Sequence, residues 1–459
     1  MRRYAQVFVG FFVCVISIFG EGFGAACHKS LQLPCCKVRS KALKTGQRKA
    51  ERAKFDSAQL AIVESQVPLR SCREKSFQEL AVEYPAALEI RESIHQMRAL
   101  VKKELSDGVA IEEITDYATR SIIGVLSKSI ELAKKDLFVQ GKTCSTAYAI
   151  AVLGSLASGD GSPYSDLDFC ILVKEDTQAV RAYFEDLITL FNKIIVSFGE
   201  THSGIRGIQI CDGDQSPPYK DARGIHGLSF LLNTPQGLAQ TTMQVSKNGK
   251  SRGVIYRSLE VLAFADGDPQ LVDQYFQAKA VASSLPVSKS SNRKLYQEKG
   301  LELMREIVRI KEELYFQEAL NPQTGLRMFN PKFFFLSPIK MGVLGLARYY
   351  GIPEVRVLRC LELLSQRGLL NHRFAERLAE AYRFGLKIRL QAHLAQGSRY
   401  DWVFIGAPVQ NCYRLTPKEE EAYPNHRCTV QTLRESLKEF LGNPGCPSFV
   451  NVAIPSCLS

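Results

Sequence analysis

Two aspartates one residue apart, Asp166 and Asp168, follow a Gly154-Ser155 pair across a ten-residue spacer. Residues 149–153 form an apolar run that reads as a buried strand, the Gly-Ser pair opens a tight turn, and a second strand begins with the two carboxylates. Side chains alternate along a strand, so Asp166 and Asp168 share one face while Leu167, Phe169 and Ile171 share the other. Two carboxylates on one face repel each other unless a cation sits between them. Magnesium suits such a place, because it takes one or two carboxylates and completes its shell with water and phosphate oxygens. Gly154 and Ser155 would offer backbone N–H groups and a hydroxyl to a triphosphate. The plain alternative is an aspartate-rich turn, since the spacer around Pro163 and Ser165 is ordinary loop chemistry.

The surrounding pattern predicts the elements that hold these residues. Residues 57–137 read as helices, with Ile90, Ile94, Met97 and Val101 at helical spacing, a break at Ser106-Asp107-Gly108, and a second helical run over 111–137. From 139 to about 285, strands and helices alternate. An amphipathic helix is expected over 177–198, strands near 205–211 and 228–232, and a Pro/Gly-rich loop over 212–227. A polar connector at 288–292 separates this region from a long helix over 293–317. Helices then fill 332–396, punctuated at Gly351, Pro353 and Gly368 and ended at Gly397, with Leu344, Leu361, Leu364, Leu378 and Ile388 at helical spacing. The expected fold class is α+β: a mixed sheet with flanking helices over 139–286, a helical lead-in over 57–138, an all-α bundle over 293–442 and a tail over 443–459.

Composition excludes several classes. With 45% hydrophobic and 23% charged residues in 459, the chain has the make-up of a soluble globular protein of two or three domains, and nothing reads as a multi-span membrane protein. The net charge of +12 is local: between residues 27 and 55 nine basic residues face a single acid, Glu51, and supply eight of the twelve charges. No basic footprint covers a folded domain, so no specific nucleic-acid partner is expected. The basic linker, 27–56, follows an apolar run in the first 26 residues that reads as a signal peptide or an amino-terminal anchor. As an anchor it would leave the catalytic body cytoplasmic by the positive-inside rule, with export as the alternative, and the linker would be drawn to anionic lipid. The thirteen cysteines are scattered and form no zinc-type spacing, which favours core thiols.

The Gly-Ser pair, spacer and Asp-x-Asp resemble the nucleotidyltransferase superfamily with a DNA-polymerase-β-like fold. The stretches 325–348, 355–370 and 379–391, with Arg327, Arg348 and Arg389 among apolar neighbours, are similar to the helical substrate-binding domain of a bacterial nucleotidyltransferase family. That family is related to the uridylyltransferase that modifies the nitrogen-regulatory protein PII. Residues 258–271, with Gly267-Asp268, are similar to the helix start that closes the catalytic domain in the same group. The sequence departs from these relatives at two positions: many have an Arg four residues after the motif glycine and a Glu two residues later, where this chain has Ser158 and Asp160.

The resemblance implies Mg²⁺ (or Mn²⁺) held by Asp166 and Asp168, with a nucleoside triphosphate as substrate seated on Gly154, Ser155 and the Ser158 position. A third carboxylate on a neighbouring strand is usual, and Asp212 is the candidate, with Asp214 next. His202 and His226 lie nearest in sequence and form no constellation. The implied reaction moves a nucleoside monophosphate to a hydroxyl of a protein or small molecule. Two other functions remain open on the sequence: a catalytically impaired nucleotide-binding regulator, which Ser158 motivates, and a membrane-tethered interaction scaffold.

Overall fold

In a computed structural model, the residues described are 85–197, 232–240, 261–284, 291–309, 318–320, 325–398, 401–406, 412–443 and 449. All belong to one compact unit spanning 76–321 and 325–459. The amino-terminal apolar run, the basic linker, the lead-in before residue 85, the strand expected near 205–211, Asp212, Asp214, His202 and His226 lie outside them. No helix among the described residues is long and apolar enough to cross a membrane.

Two long helices come first, α1 (Ala87–Asp107) and α2 (Ile111–Val139). Ile90, Ile94, Met97 and Val101 are buried at the expected helical spacing, and α1 stops where Gly108 turns left-handed at φ +78°. Next are strand β1 (Tyr148–Val152), the one-turn helix α3 (Gly154–Ala157), strand β2 (Phe169–Val173) and helix α4 (Gln178–Ser197). Strands β3 (Leu232–Asn233) and β4 (Ala263–Gly267) complete a sheet of order β3-β2-β1-β4. It is mixed: β1 runs antiparallel to β2 and β4, and β2 runs parallel to β3.

Both sheet faces are covered, which is why β2 is apolar throughout. One face carries Ile150, Val152, Phe169 and Ile171 into a core shared with α2 and α4, where Phe169 meets Phe191 edge-on at 5.8 Å. Ala149, Ala151, Cys170 and Leu172 occupy the other face, in a second core with Leu271, Val272 and Tyr275 of helix α5 (Gln270–Ser284). Each fully buried aromatic such as Phe184 or Phe191 contributes about 1.5–3 kcal/mol. The expected helix start after Gly267 is present, with Asp268 Oδ1 accepting from Gln270 N at 3.0 Å.

The carboxy-terminal half is helical: α6 (Ser291–Arg309), α7 (Ser337–Tyr349), α8 (Val357–Gln366), α9 (His372–Gln396) and α10 (Pro417–Gly442). The helix expected over 293–317 is thus described from Ser291, inside the polar connector, to Arg309. Helix α6 crosses α7 backbone to backbone: a Cβ on Gly300 would lie 2.4 Å from Gly345 O, and one on Gly345 would lie 2.9 Å from Gly300 O. Gly351, Gly368 and Gly397, all with positive φ, end the helices before them as expected. The structure adds a small sheet to this half, in the order β5 (Ala319–Leu320), β6 (Arg327–Phe329), β7 (Val403–Ile405), β8 (Tyr413–Arg414). The architecture is α+β.

Cys170 and Cys360 are buried thiols, and burial pushes both up to about 12. Cys428 departs from the core-thiol expectation by being disulfide-bonded.

Candidate active site

Strand register brings the motif together. Val152 of β1 lies opposite Phe169, and Leu153 N donates to Asp168 O at 2.8 Å, so pairing continues to the last residue before the turn. Gly154 then turns left-handed at φ +62°. A Cβ on Gly154 would lie 3.6 Å from Asp168 Oδ2, which puts the carboxylate directly over the turn. Leu167 is fully buried while Asp166 and Asp168 are half-buried, the alternation expected from the sequence. The second strand does not begin with the two carboxylates as expected: β2 starts at Phe169, so Asp166 and Asp168 lie in the segment that leads into it.

The donor set at the two aspartates is all oxygen, partly open and negative, which suits a hard divalent cation that keeps water and phosphate oxygens among its ligands. No group of three or more His, Cys, Asp or Glu that could hold a metal occurs among the described residues. Asp212, the candidate third carboxylate, lies outside those residues.

Beyond α3 the spacer is gripped from two sides. On the lead-in side, Arg98 of α1 stacks over the Tyr164 ring at 4.0 Å and donates to Pro163 O at 3.3 Å. From α2, Thr119 Oγ1 accepts from Gly161 N at 3.0 Å. That position needs glycine for space, since a Cβ there would stand 2.5 Å from the same hydroxyl.

The helical half makes the second grip. Ser158 Oγ lies 3.0 Å from Gly154 O, 3.3 Å from Ser155 O and 2.8 Å from Asp160 Oδ2. Lys340 of α7 donates to Ser158 Oγ at 2.5 Å and to Asp160 Oδ2 at 2.9 Å. Tyr382 of α9 also bonds Asp160, and its hydroxyl is held protonated well above its ordinary range by burial and then by that carboxylate. Ser158, which the resemblance implies as a phosphate contact, is 4% exposed and engaged beneath the turn.

Two turns further along α9, Arg389 and His393 share the face of Tyr382. His393 is fully buried: Nδ1 lies 2.6 Å from Ser162 Oγ and Nε2 lies 2.6 Å from Asp401 Oδ1. Arg389 Nε donates to the same Asp401 oxygen at 2.7 Å. Burial works against the Asp401 charge, but Arg389 and His393 outweigh it and hold the carboxyl well below its usual range. Burial lowers the His393 pKa, with Asp401 opposing, so the ring is neutral at neutral pH. An ionised carboxylate only accepts, so the ring proton sits on Nε2 toward Asp401, and bare Nδ1 accepts the Ser162 hydroxyl. Burial opposes the Arg389 charge, which Asp401 and, more distantly, Asp166 and Asp160 stabilise.

Sequence reasoning passed over Lys340, Tyr382, His393 and Asp401. The usable signal was Tyr382, Arg389 and His393, polar residues seven and four apart on an otherwise apolar face of α9. Of the three arginines singled out, Arg389 is buried at this site, whereas Arg327 is exposed and paired with Glu318.

Residues 95–205 match the family described as "Putative nucleotidyltransferase DUF294". Residues 302–401 match "Putative nucleotidyltransferase substrate binding domain". The first match contains the Gly154 turn and both aspartates; the second contains Lys340, Tyr382, Arg389, His393 and Asp401. No curated protein matches the chain.

Proposed function

We propose that this chain, which carries a nucleotidyltransferase-family domain and behind it that family's substrate-binding domain, transfers a nucleoside monophosphate from a nucleoside triphosphate to a hydroxyl of a protein or small molecule. The observation that carries the proposal is the placement of Asp168 Oδ2 over the Gly154 turn, with Asp166 two residues before it and likewise half-buried.

In this reading Asp166 and Asp168 hold Mg²⁺ (or Mn²⁺), which supplies neutralisation of phosphate charge when bound. Gly154, lacking a Cβ, lets polyphosphate approach the main chain, and Ser155 offers its N–H and hydroxyl. The acceptor oxygen forms a bond to the α-phosphorus as the bond to the bridging oxygen breaks and pyrophosphate leaves. The hydroxyl proton passes to a carboxylate, a role proposed for Asp212. The helical half would present the acceptor, in keeping with the name of its family.

Incubation of the full chain with each radiolabelled nucleoside triphosphate, Mg²⁺ and cell lysate tests the proposal. Label transferred to a lysate component, and absent with the Asp166→Ala/Asp168→Ala variant, supports it. Nucleotide binding with no transfer under any of the four triphosphates would favour the regulatory reading instead.

A further inference from the structure

We infer that Lys340, on the first turn of α7 in the substrate-binding half, is a positioning residue for the phosphate seat of the nucleotidyltransferase half. The inference rests on the function proposed above and extends it to a residue 182 positions away from the Ser158 it contacts.

The seat is a single helical turn, Gly154–Ala157, too short to be held by its own hydrogen bonds. Ser158 Oγ lies within bonding distance of two carbonyls of that turn, and Asp160 N donates to Ser155 O at 2.9 Å, so Ser158 and Asp160 brace it from below. Asp160 is nevertheless an acid three residues beyond that turn, and its carboxylate is only 15% exposed. Uncompensated, it would repel a triphosphate bound at Gly154 and Ser155. Lys340 Nζ meets both needs at once. It pairs with Asp160 Oδ2 and donates to Ser158 Oγ, fixing the brace and cancelling the charge. No basic side chain stands at position 158 itself, and the cation at that spot comes from the other half of the molecule.

Inorganic tripolyphosphate with Mg²⁺ is the probe, because it tests the phosphate seat without a base. Calorimetric affinity and thermal midpoint are measured on the full chain. Replacing a charge-assisted pair by a neutral side chain costs about tenfold or more in affinity at such a site. Lys340→Met is therefore expected to weaken tripolyphosphate at least tenfold. Lys142→Met, which removes an exposed lysine paired with Asp186, leaves affinity unchanged. Moving the cation back across the contact in Ser158→Arg/Lys340→Ala restores most of the loss, which a purely structural role for Lys340 would not produce. Should Lys340→Met not fold, Lys340→Gln, which keeps a donor for Ser158 without the charge, carries the same comparison. Equal affinity in Lys340→Met (or Lys340→Gln) and the unaltered chain overturns the inference alone. So does a loss that follows the thermal midpoint and is not recovered by the relocated cation. Failure of the unaltered chain to bind Mg²⁺ with tripolyphosphate overturns the proposed function and this inference with it.

Discussion

His393 Nδ1 lies 2.6 Å from Ser162 Oγ, joining residues 231 positions apart in the chain. The serine belongs to the spacer of the Asp-x-Asp motif, and the histidine belongs to α9 of the helical half. Because Asp401 bonds the far side of the same ring, the spacer is tied through His393 to a buried carboxylate and, through that, to Arg389.

Removing the anchor of this chain leaves a buried cation alone. Asp401→Ala is expected to destabilise the protein by about 3–5 kcal/mol, the usual cost of stranding one member of a buried pair. Denaturant unfolding of both proteins measures it. A change below about 1 kcal/mol, the level of an exposed ion pair, would show that Arg389 finds water instead.

Acid should weaken the same region. The folded His393 pKa lies below its ordinary value, so between the two the unfolded chain binds more protons and stability falls as pH drops below about 6.5. Asp401 stays ionised through that window because its carboxyl is held well below the usual range. His426, also lowered by burial, acts in the same direction and is present in both proteins compared. Unfolding free energy measured at pH 7.5 and pH 5.5 should drop more in the unaltered chain than in His393→Gln. Equal slopes would remove His393 as the source.

The two motif aspartates should be dispensable for folding and indispensable for transfer. Asp166→Ala/Asp168→Ala relieves like-charge repulsion but also removes the distant support Asp166 gives the Arg389 charge, so the thermal midpoint is expected to change little while incorporation of label from a triphosphate disappears. Residual transfer at more than a few per cent would mean the chemistry resides elsewhere.

Gly154→Ala probes the turn itself. An L-residue at φ +62° is strained by about 1–2 kcal/mol, and the new methyl would touch the Asp168 carboxylate. The expected outcome is a modest fall in thermal midpoint with a disproportionate loss of Mg²⁺-tripolyphosphate affinity. Affinity that declines only as far as stability does would place the seat away from this turn.

What the sequence made legible is local. Strands β1 and β2, the burial of Leu167 between two half-buried aspartates, the helix after Thr177 and the stops at Gly351, Gly368 and Gly397 all depend on alternation, helical spacing or a glycine's φ, and each signal fits within a few residues. Strand β4 escaped because it is the sheet's edge: Phe264 is 41% exposed and Asp266 interrupts the apolar pattern. The sheet of the helical half escaped because its strands are two or three residues long. Lys340 and His393 escaped for a different reason. Their partners are fixed only by how two distant segments pack, which no spacing along one segment encodes.

The glycine crossing of α6 and α7 has a bearing on Lys340. With main chain close to main chain at Gly300 and Gly345, and Met304 packed against Gly345, these two rods meet where neither glycine leaves room for a Cβ. Lys340 sits little more than one helical turn before Gly345, so its reach toward Asp160 is tied to a joint that a Cβ at either glycine would force apart. A single methyl at either glycine would therefore be felt as far away as the ammonium, pulling it off its mark.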